Sequence, residues 1–118
     1  MRSVPQLDQD GQTALSWAVR HRQEGVVKML LERKDVNPNK ANKYGQTELL
    51  WAVQHRQEGI VRLLLKRSDV NPNKAGRYGQ IALLLAVERG QEGIVRVLLE
   101  RNDVNPDTAD QRGQAPLW

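Results

Sequence analysis

The chain has no cysteine among its 118 residues. Disulfide staples and thiolate metal sites are thereby excluded. An intracellular address, cytoplasmic or nuclear, is compatible with that composition without being demanded by it. Long apolar runs are missing too. The longest, Ile81 to Val87, has seven residues, where a membrane-spanning helix needs about twenty. The opening Met1-Arg2-Ser3-Val4-Pro5 has no apolar stretch behind it and does not read as a secretory signal. Together these absences predict a soluble chain with no membrane partner. Blocks of like charge are also lacking. The chain carries 18 basic and 14 acidic residues, a formal charge of +4, but the signs alternate through Arg20, Arg22, Glu24, Lys28, Glu32, Arg33, Lys34 and Asp35. That pattern reads as a solvated face before it reads as a nucleic-acid footprint, although the basic balance favours an acidic partner.

Catalytic constellations are equally scarce. The two histidines, His21 and His55, stand 34 residues apart at equivalent positions, and without cysteine a zinc site would need neighbouring carboxylates. They read as solvated turn residues. Ser3, Ser16 and Ser68 have no plausible histidine and acid partners. Gly90-Gln91-Glu92-Gly93 heads a helix but lacks the Gly-Lys-Ser/Thr of a phosphate loop, and Glu92 would repel an anion. No enzyme, cofactor or metal is expected.

What is present is repetition. Gly11, Gly45, Gly79 and Gly113 each open the same pattern at a spacing of 34 residues. The first and second copies agree at 24 of 34 positions and the second and third at 20 of 34. The reading is a tail with a partial finger over 1–10, units over 11–44, 45–78 and 79–112, and a truncated start over 113–118. Repeats of this length mean a solenoid or a similar stack.

Each unit carries two apolar patches with helical spacing. The first is Leu15, Trp17, Ala18 and Val19, with Thr13 placed to cap it and Thr47 repeating the cap. Ile81 stands there in the third unit and cannot cap, so that helix is expected to start less crisply. Ala18, Ala52 and Ala86 are small at one position, which allows close helix approach. The second patch, Val26 to Leu31 and its copies, is apolar over so wide a stripe that it must touch elements on two sides. Glu24, Glu58 and Glu92 suit the helix start, with Lys28, Arg62 and Arg96 four residues on for ion pairing. Arg33, Arg67 and Arg101 suit the helix end. The turn between the helices calls for one left-handed residue. Only Gly90 is the easy choice there, since Arg22 and Arg56 occupy the other two copies. Pro38, Pro72 and Pro106 end the helical part, and the polar run from Asn39 to Tyr44 predicts a projecting loop or hairpin.

The succession Gly-Gln-Thr-Ala-Leu-Ser-Trp-Ala-Val, a turn, Gly-Val-Val-Lys-Met-Leu-Leu-Glu and Asp-Val-Asn resembles the ankyrin repeat over residues 8 to 118. The resemblance implies an all-α ankyrin-repeat solenoid, helix-turn-helix units with hairpin-like fingers. The variant Asp-Val-Asn-Pro with a longer finger is similar to arrays in fungal ankyrin proteins, often behind a NACHT-type NTPase, of which this sequence has none. The chain departs from the family at Thr-Pro-Leu-His, which becomes Thr13-Ala14-Leu15-Ser16, Thr47-Glu48-Leu49-Leu50 and Ile81-Ala82-Leu83-Leu84. It departs again after the second helix, where Lys34, Ser68 or Asn102 replaces a glycine. An array less stable than an idealised one is expected. Leu83, Leu84 and Val97 look as apolar as their interior equivalents, which predicts a piece of a longer array or self-association through uncapped ends.

The implied function is a non-catalytic protein-binding scaffold with a concave surface of finger tips and first helices. Carried over position by position, the contact residues are Lys43, Tyr44, Gln46, Arg77, Tyr78 and Gln80 from the fingers and Arg20, His21, Gln54, His55, Glu88 and Arg89 from the first helices. An acidic protein segment is the expected partner. Trp17 and Trp51 either pack between first helices or anchor that partner. A second reading is nucleic-acid binding by Lys40, Lys43, Lys74 and Arg77 with stacking on Tyr44 and Tyr78. A third is a passive structural segment of a larger protein.

Overall fold

The computed structural model describes residues 13–76 and 79–106. The tail, the stub at 113–118, and Arg77 and Tyr78 lie outside the described residues. The described chain holds six helices in three pairs: α1 (Ala14–Arg20) with α2 (Glu24–Leu31), α3 (Glu48–Gln54) with α4 (Glu58–Leu65), and α5 (Ala82–Glu88) with α6 (Glu92–Leu99). First helices contact first helices and second helices contact second helices along a stack 50 Å long and 22–26 Å across. No strand occurs among the described residues, so the array is all-α as expected.

The local starts and stops follow the residues. Thr13 Oγ1 accepts from the Ser16 amide and Thr47 Oγ1 from the Leu50 amide, both at 3.2 Å, satisfying a donor that the helix itself cannot. Ile81 makes no such bond. Contrary to expectation, α5 still starts in register and has the same length as α1 and α3. Ile81 keeps the extended backbone of a cap and buries its side chain in the core instead.

Each first helix ends in a Schellman turn. The Gln23 amide donates to Ala18 O at 2.9 Å and the Arg22 amide to Val19 O at 3.1 Å, and the same two bonds recur at Gln57 and Arg56 and at Gln91 and Gly90. The left-handed residue expected there is observed: φ is 56° at Arg22, 58° at Arg56 and 65° at Gly90. A left-handed L-residue costs about 1–2 kcal/mol. After the second helices no left-handed residue is found at Lys34, Ser68 or Asn102. There the chain closes with a tighter turn, the Arg33 amide on Leu30 O and the Arg67 amide on Leu64 O. The missing glycine therefore carries no strain penalty at this point.

The core runs the length of the stack. Leu64 and Leu98 are fully buried, and half-buried Leu30 continues their spine. Ala18, Ala52 and Ala86 are buried. Each second helix has two apolar faces. A rear face (positions 26, 29 and 30 and their copies) is closed by the preceding pair, and a forward face (positions 27 and 31 and their copies) by the following one. Val26 and Met29 are exposed while Ile60, Ile94 and Val97 are buried, and Leu31 and Leu65 are buried while Leu99 is exposed. Leu83, Leu84 and Val97, expected at an open end, are buried. They point back into the stack, and the open apolar side chain of the third pair is Leu99.

Polar bonds repeat with the same period. Arg67 was expected to favour the end of its own helix; it crosses to the preceding one. Its Nη1 donates to Leu31 O at 3.3 Å and Arg33 O at 3.1 Å while its Nε and Nη2 grip Asp69. Arg101 does the same to Leu65 O and Arg67 O at 3.1 Å, and its Nη2 adds Val70 O at 3.0 Å. Arg33 binds Asp35 and no preceding carbonyl. Side-chain exposure follows: 67% at Arg33 against 16% and 15% at Arg67 and Arg101. A second ladder is made by Asn39, whose Nδ2 donates to Asp69 O and whose Oδ1 accepts from the Asn71 amide, both at 2.7 Å.

Of the three helical ion pairs expected, Glu58–Arg62 closes, at 3.0 Å. The Glu24 carboxylate lies instead where a side chain on Gly59 would stand, and the Glu58 carboxylate lies likewise beside Gly93. Each places a negative charge at the start of the next second helix, favourable to its dipole. Gly25 has open space at the same point.

Candidate functional site

The side chains that the stacking bonds leave over gather on the first helices and fingers. In the finger, the Asn42 amide donates to Gln46 O at 2.9 Å and Gly45 turns with φ 75°. The Asn42 side chain fixes the tip by accepting from the Tyr44 amide at 2.8 Å and the Gln46 amide at 3.1 Å. Tyr44 is thus held out by a rigid turn, 47% exposed, with Lys43 Nζ 5.2 Å from the centre of its ring. Behind it Gln46 Nε2 donates to Gln54 Oε1 at 2.7 Å. Tyr44, Gln46, Gln54 and Gln80 share a cavity of about 240 Å³ floored by Leu50 and Leu85. Four of the predicted contact residues are therefore brought together.

A second group forms at the helix ends. The His21 ring lies 4.6 Å from Trp17 and the His55 ring 4.0 Å from Trp51. The Arg20 guanidinium covers Trp51 at 4.6 Å, within cation–π range. Arg22 Nη2 donates to His55 O at 3.1 Å. Partial burial, then the charges of Arg22, Arg89 and Arg20, hold the His55 imidazole below its usual pKa. Arg22 thus touches the His55 backbone, and the charges of Arg20 and Arg89 act on the same imidazole. Glu88 and Arg89, at the end of α5, are exposed. Trp17 is exposed and Trp51 half-buried against the core, so the two repeated tryptophans sit in different environments.

Some of this was missed at the level of sequence. Arg22 was read as a turn residue alone. Its place at 34 residues from Arg56 and next to a histidine was the available signal. Glu48 was read as a departure from a motif; it is buried, accepting from Ser16 Oγ at 2.5 Å. Burial raises its carboxyl above the usual range, opposed by the Ser16 bond and by Arg20. Lys74, a candidate phosphate contact, donates to Asn39 O at 2.9 Å and braces one finger against the next. Among the described residues no cluster of three or more His, Asp or Glu could hold a metal, and no helix is long and apolar enough to cross a membrane.

Stacked helix pairs joined by projecting turns define a repeat solenoid. A family model of ankyrin repeats in three copies matches residues 2–75, and a single ankyrin-repeat model matches residues 78–111. The chain belongs to the ankyrin repeat family. Among solved structures it is similar to the ankyrin repeat protein EF0377, at 29% identity and TM-score 0.84 over 98% of this chain and 57% of that one. An ankyrin repeat domain from Acinetobacter baumannii AYE is similar at 28% identity and TM-score 0.82, over 92% of this chain and 54% of that one. The ankyrin repeat domain of Bcl-3, a member of the IκB family, gives 29% and 0.81 over 93% and 50%. The chain thus spans about half the length of these structures. No curated protein matches. None of these matches bears on the likeness to fungal arrays behind a NACHT-type NTPase.

Proposed function

We propose that this chain is a non-catalytic scaffold that binds an acidic segment of another protein across its finger and first-helix side. The units run over 11–44, 45–78 and 79–112 in this reading. The observation that carries it is the basic group at the helix ends, where Arg22 donates to His55 O, Arg20 covers Trp51 and the charges of Arg20, Arg22 and Arg89 act on the His55 imidazole, together with the exposed Tyr44 of the finger. Arg, Trp and Tyr are the residues that dominate binding energy at interfaces, and one sign of charge on a surface steers an oppositely charged partner. The remaining contact residues are Lys43, Gln46, Gln54, Gln80, His21 and Glu88, with Arg77 and Tyr78 carried over from the sequence alone.

Ankyrin repeats are in general protein-interaction modules, which supports a protein partner. The nucleic-acid reading is weakened by Lys74, whose ammonium is engaged between fingers. Selection from a random peptide display library on the intact chain tests the proposal. Enrichment of Asp- and Glu-rich peptides is expected, with binding reduced at least tenfold by Arg20→Ala with Arg89→Ala, roughly the loss of one hot spot. Peptides with no acidic excess, or binding indifferent to the double substitution, would overturn it.

A further inference from the structure

The two ends of the described stack carry the two faces that meet at each internal junction. α4 seats its rear face on the forward face of α2, and α6 seats its rear face on α4, so the molecule makes the same junction twice. At one end the rear face of α2 stands open: Val26 is exposed and Met29 is 62% exposed, while their copies Ile94 and Val97 are buried. At the other the forward face of α6 stands open: Leu99 is 49% exposed, while its copies Leu31 and Leu65 are buried. A groove of about 550 Å³ runs along this face between Val87, Val95 and Leu99, with Glu92 and Glu100 at its edge.

The polar partners match in the same order. Arg33 has the guanidinium that Arg67 and Arg101 place on the carbonyls of the preceding pair, and no described pair precedes it. Among the described residues no arginine reaches Leu99 O and Arg101 O, the copies of the carbonyls that Arg67 and Arg101 take. Gly25 has open space where Gly59 and Gly93 each meet a carboxylate of the preceding pair. Donor, acceptor, apolar face and open glycine all lie in the register that the internal junctions already use.

The geometry points to head-to-tail self-association, in which the α6 face of one copy takes the α2 face of the next as α4 takes α6. The contact is heterologous, so it propagates into open-ended chains and does not stop at a two-fold dimer. The second copy is the occupant because the molecule already makes this fit, between equivalent positions, at its two internal junctions.

Analytical ultracentrifugation of the full chain tests this. The weight-average mass should climb from the 13.4 kDa monomer as concentration rises from about 1 μM to about 1 mM, the range of weak association. Met29→Glu closes one face and Leu99→Glu the other. Both side chains are exposed in the single molecule, and unchanged thermal melting shows that each variant folds. Each variant alone should stay monomeric at all concentrations. Their equimolar mixture should form a 1:1 dimer and nothing larger, since one intact α6 face then meets one intact α2 face. A wild type that stays monomeric overturns the proposal. So does a single variant that polymerises like the wild type, or a mixture that forms no dimer.

Discussion

Each guanidinium at positions 67 and 101 grips an aspartate two residues on and, with its other nitrogens, the carbonyls of the helix before it. Hydrogen bonds from a charged donor contribute about 1.5–3 kcal/mol when partly shielded from water, whereas an exposed ion pair contributes little. Arg101→Ala is therefore expected to cost about 2 kcal/mol by urea denaturation, and Arg33→Ala to leave the midpoint unchanged. Equal losses at the two sites would mean that the pairing with aspartate, and not the bridge between repeats, is what stabilises.

Glu48 is the other residue whose environment has a measurable consequence. Its folded pKa is raised, first by burial. A raised carboxyl contributes stability in its neutral form, fully present below the unfolded pKa and lost as pH rises through the folded value. Glu48→Gln keeps a neutral acceptor for Ser16 and removes the titration. The variant is expected to exceed the wild type in stability near about pH 7, with the difference closing as pH falls towards about 4. Asp35, Asp69 and Asp103, held low first by their hydrogen bonds to arginine, titrate alike in both proteins and cancel. A gap constant across that range would contradict the assignment.

At the scale of the element, the helix pairs are built from a cap, a Schellman turn and a two-faced second helix. Arg56 occupies the left-handed position of its turn with φ 58°. Arg56→Gly should raise stability by about 0.5–1 kcal/mol, the left-handed penalty less the extra entropy of glycine. Arg22→Gly should gain less, because Arg22 also bonds His55 O. An unchanged urea midpoint for Arg56→Gly would argue that the turn is relaxed.

These elements were legible in the sequence because period and punctuation agree. Thr13 and Thr47 announce helix starts, the wide stripe at Val26 to Leu31 announces two-sided contact, and Gly90 marks the turn that Arg22 and Arg56 share. Contacts between repeats were not legible in the same way. The arginine at 67 looks identical to the arginine at 33, and only a described preceding pair decides whether it bridges or binds its aspartate alone. The same holds for Glu24 beside Gly59 and for the burial of Glu48. The finger and first-helix residues were legible as exposed polar positions, but the reach of Arg22 to His55 O and of Arg20 over Trp51 depends on how neighbouring turns stack, which a list of positions does not contain.

At the scale of the whole molecule, no helix pair has an interior of its own. Leu64 is fully buried because α4 lies between α2 and α6, and truncating such a leucine costs about 2–5 kcal/mol. Nearest-neighbour coupling of this kind makes the loss communal. The finger and first-helix side keeps its shape only while the stack beneath it does, which ties the proposed binding surface to the same packing. Hydrogen exchange by mass spectrometry on Leu64→Ala tests that dependence most directly. Faster exchange is expected in α2 and α6 as well as in α4; a loss of protection confined to α4 would show three independent units and contradict the account.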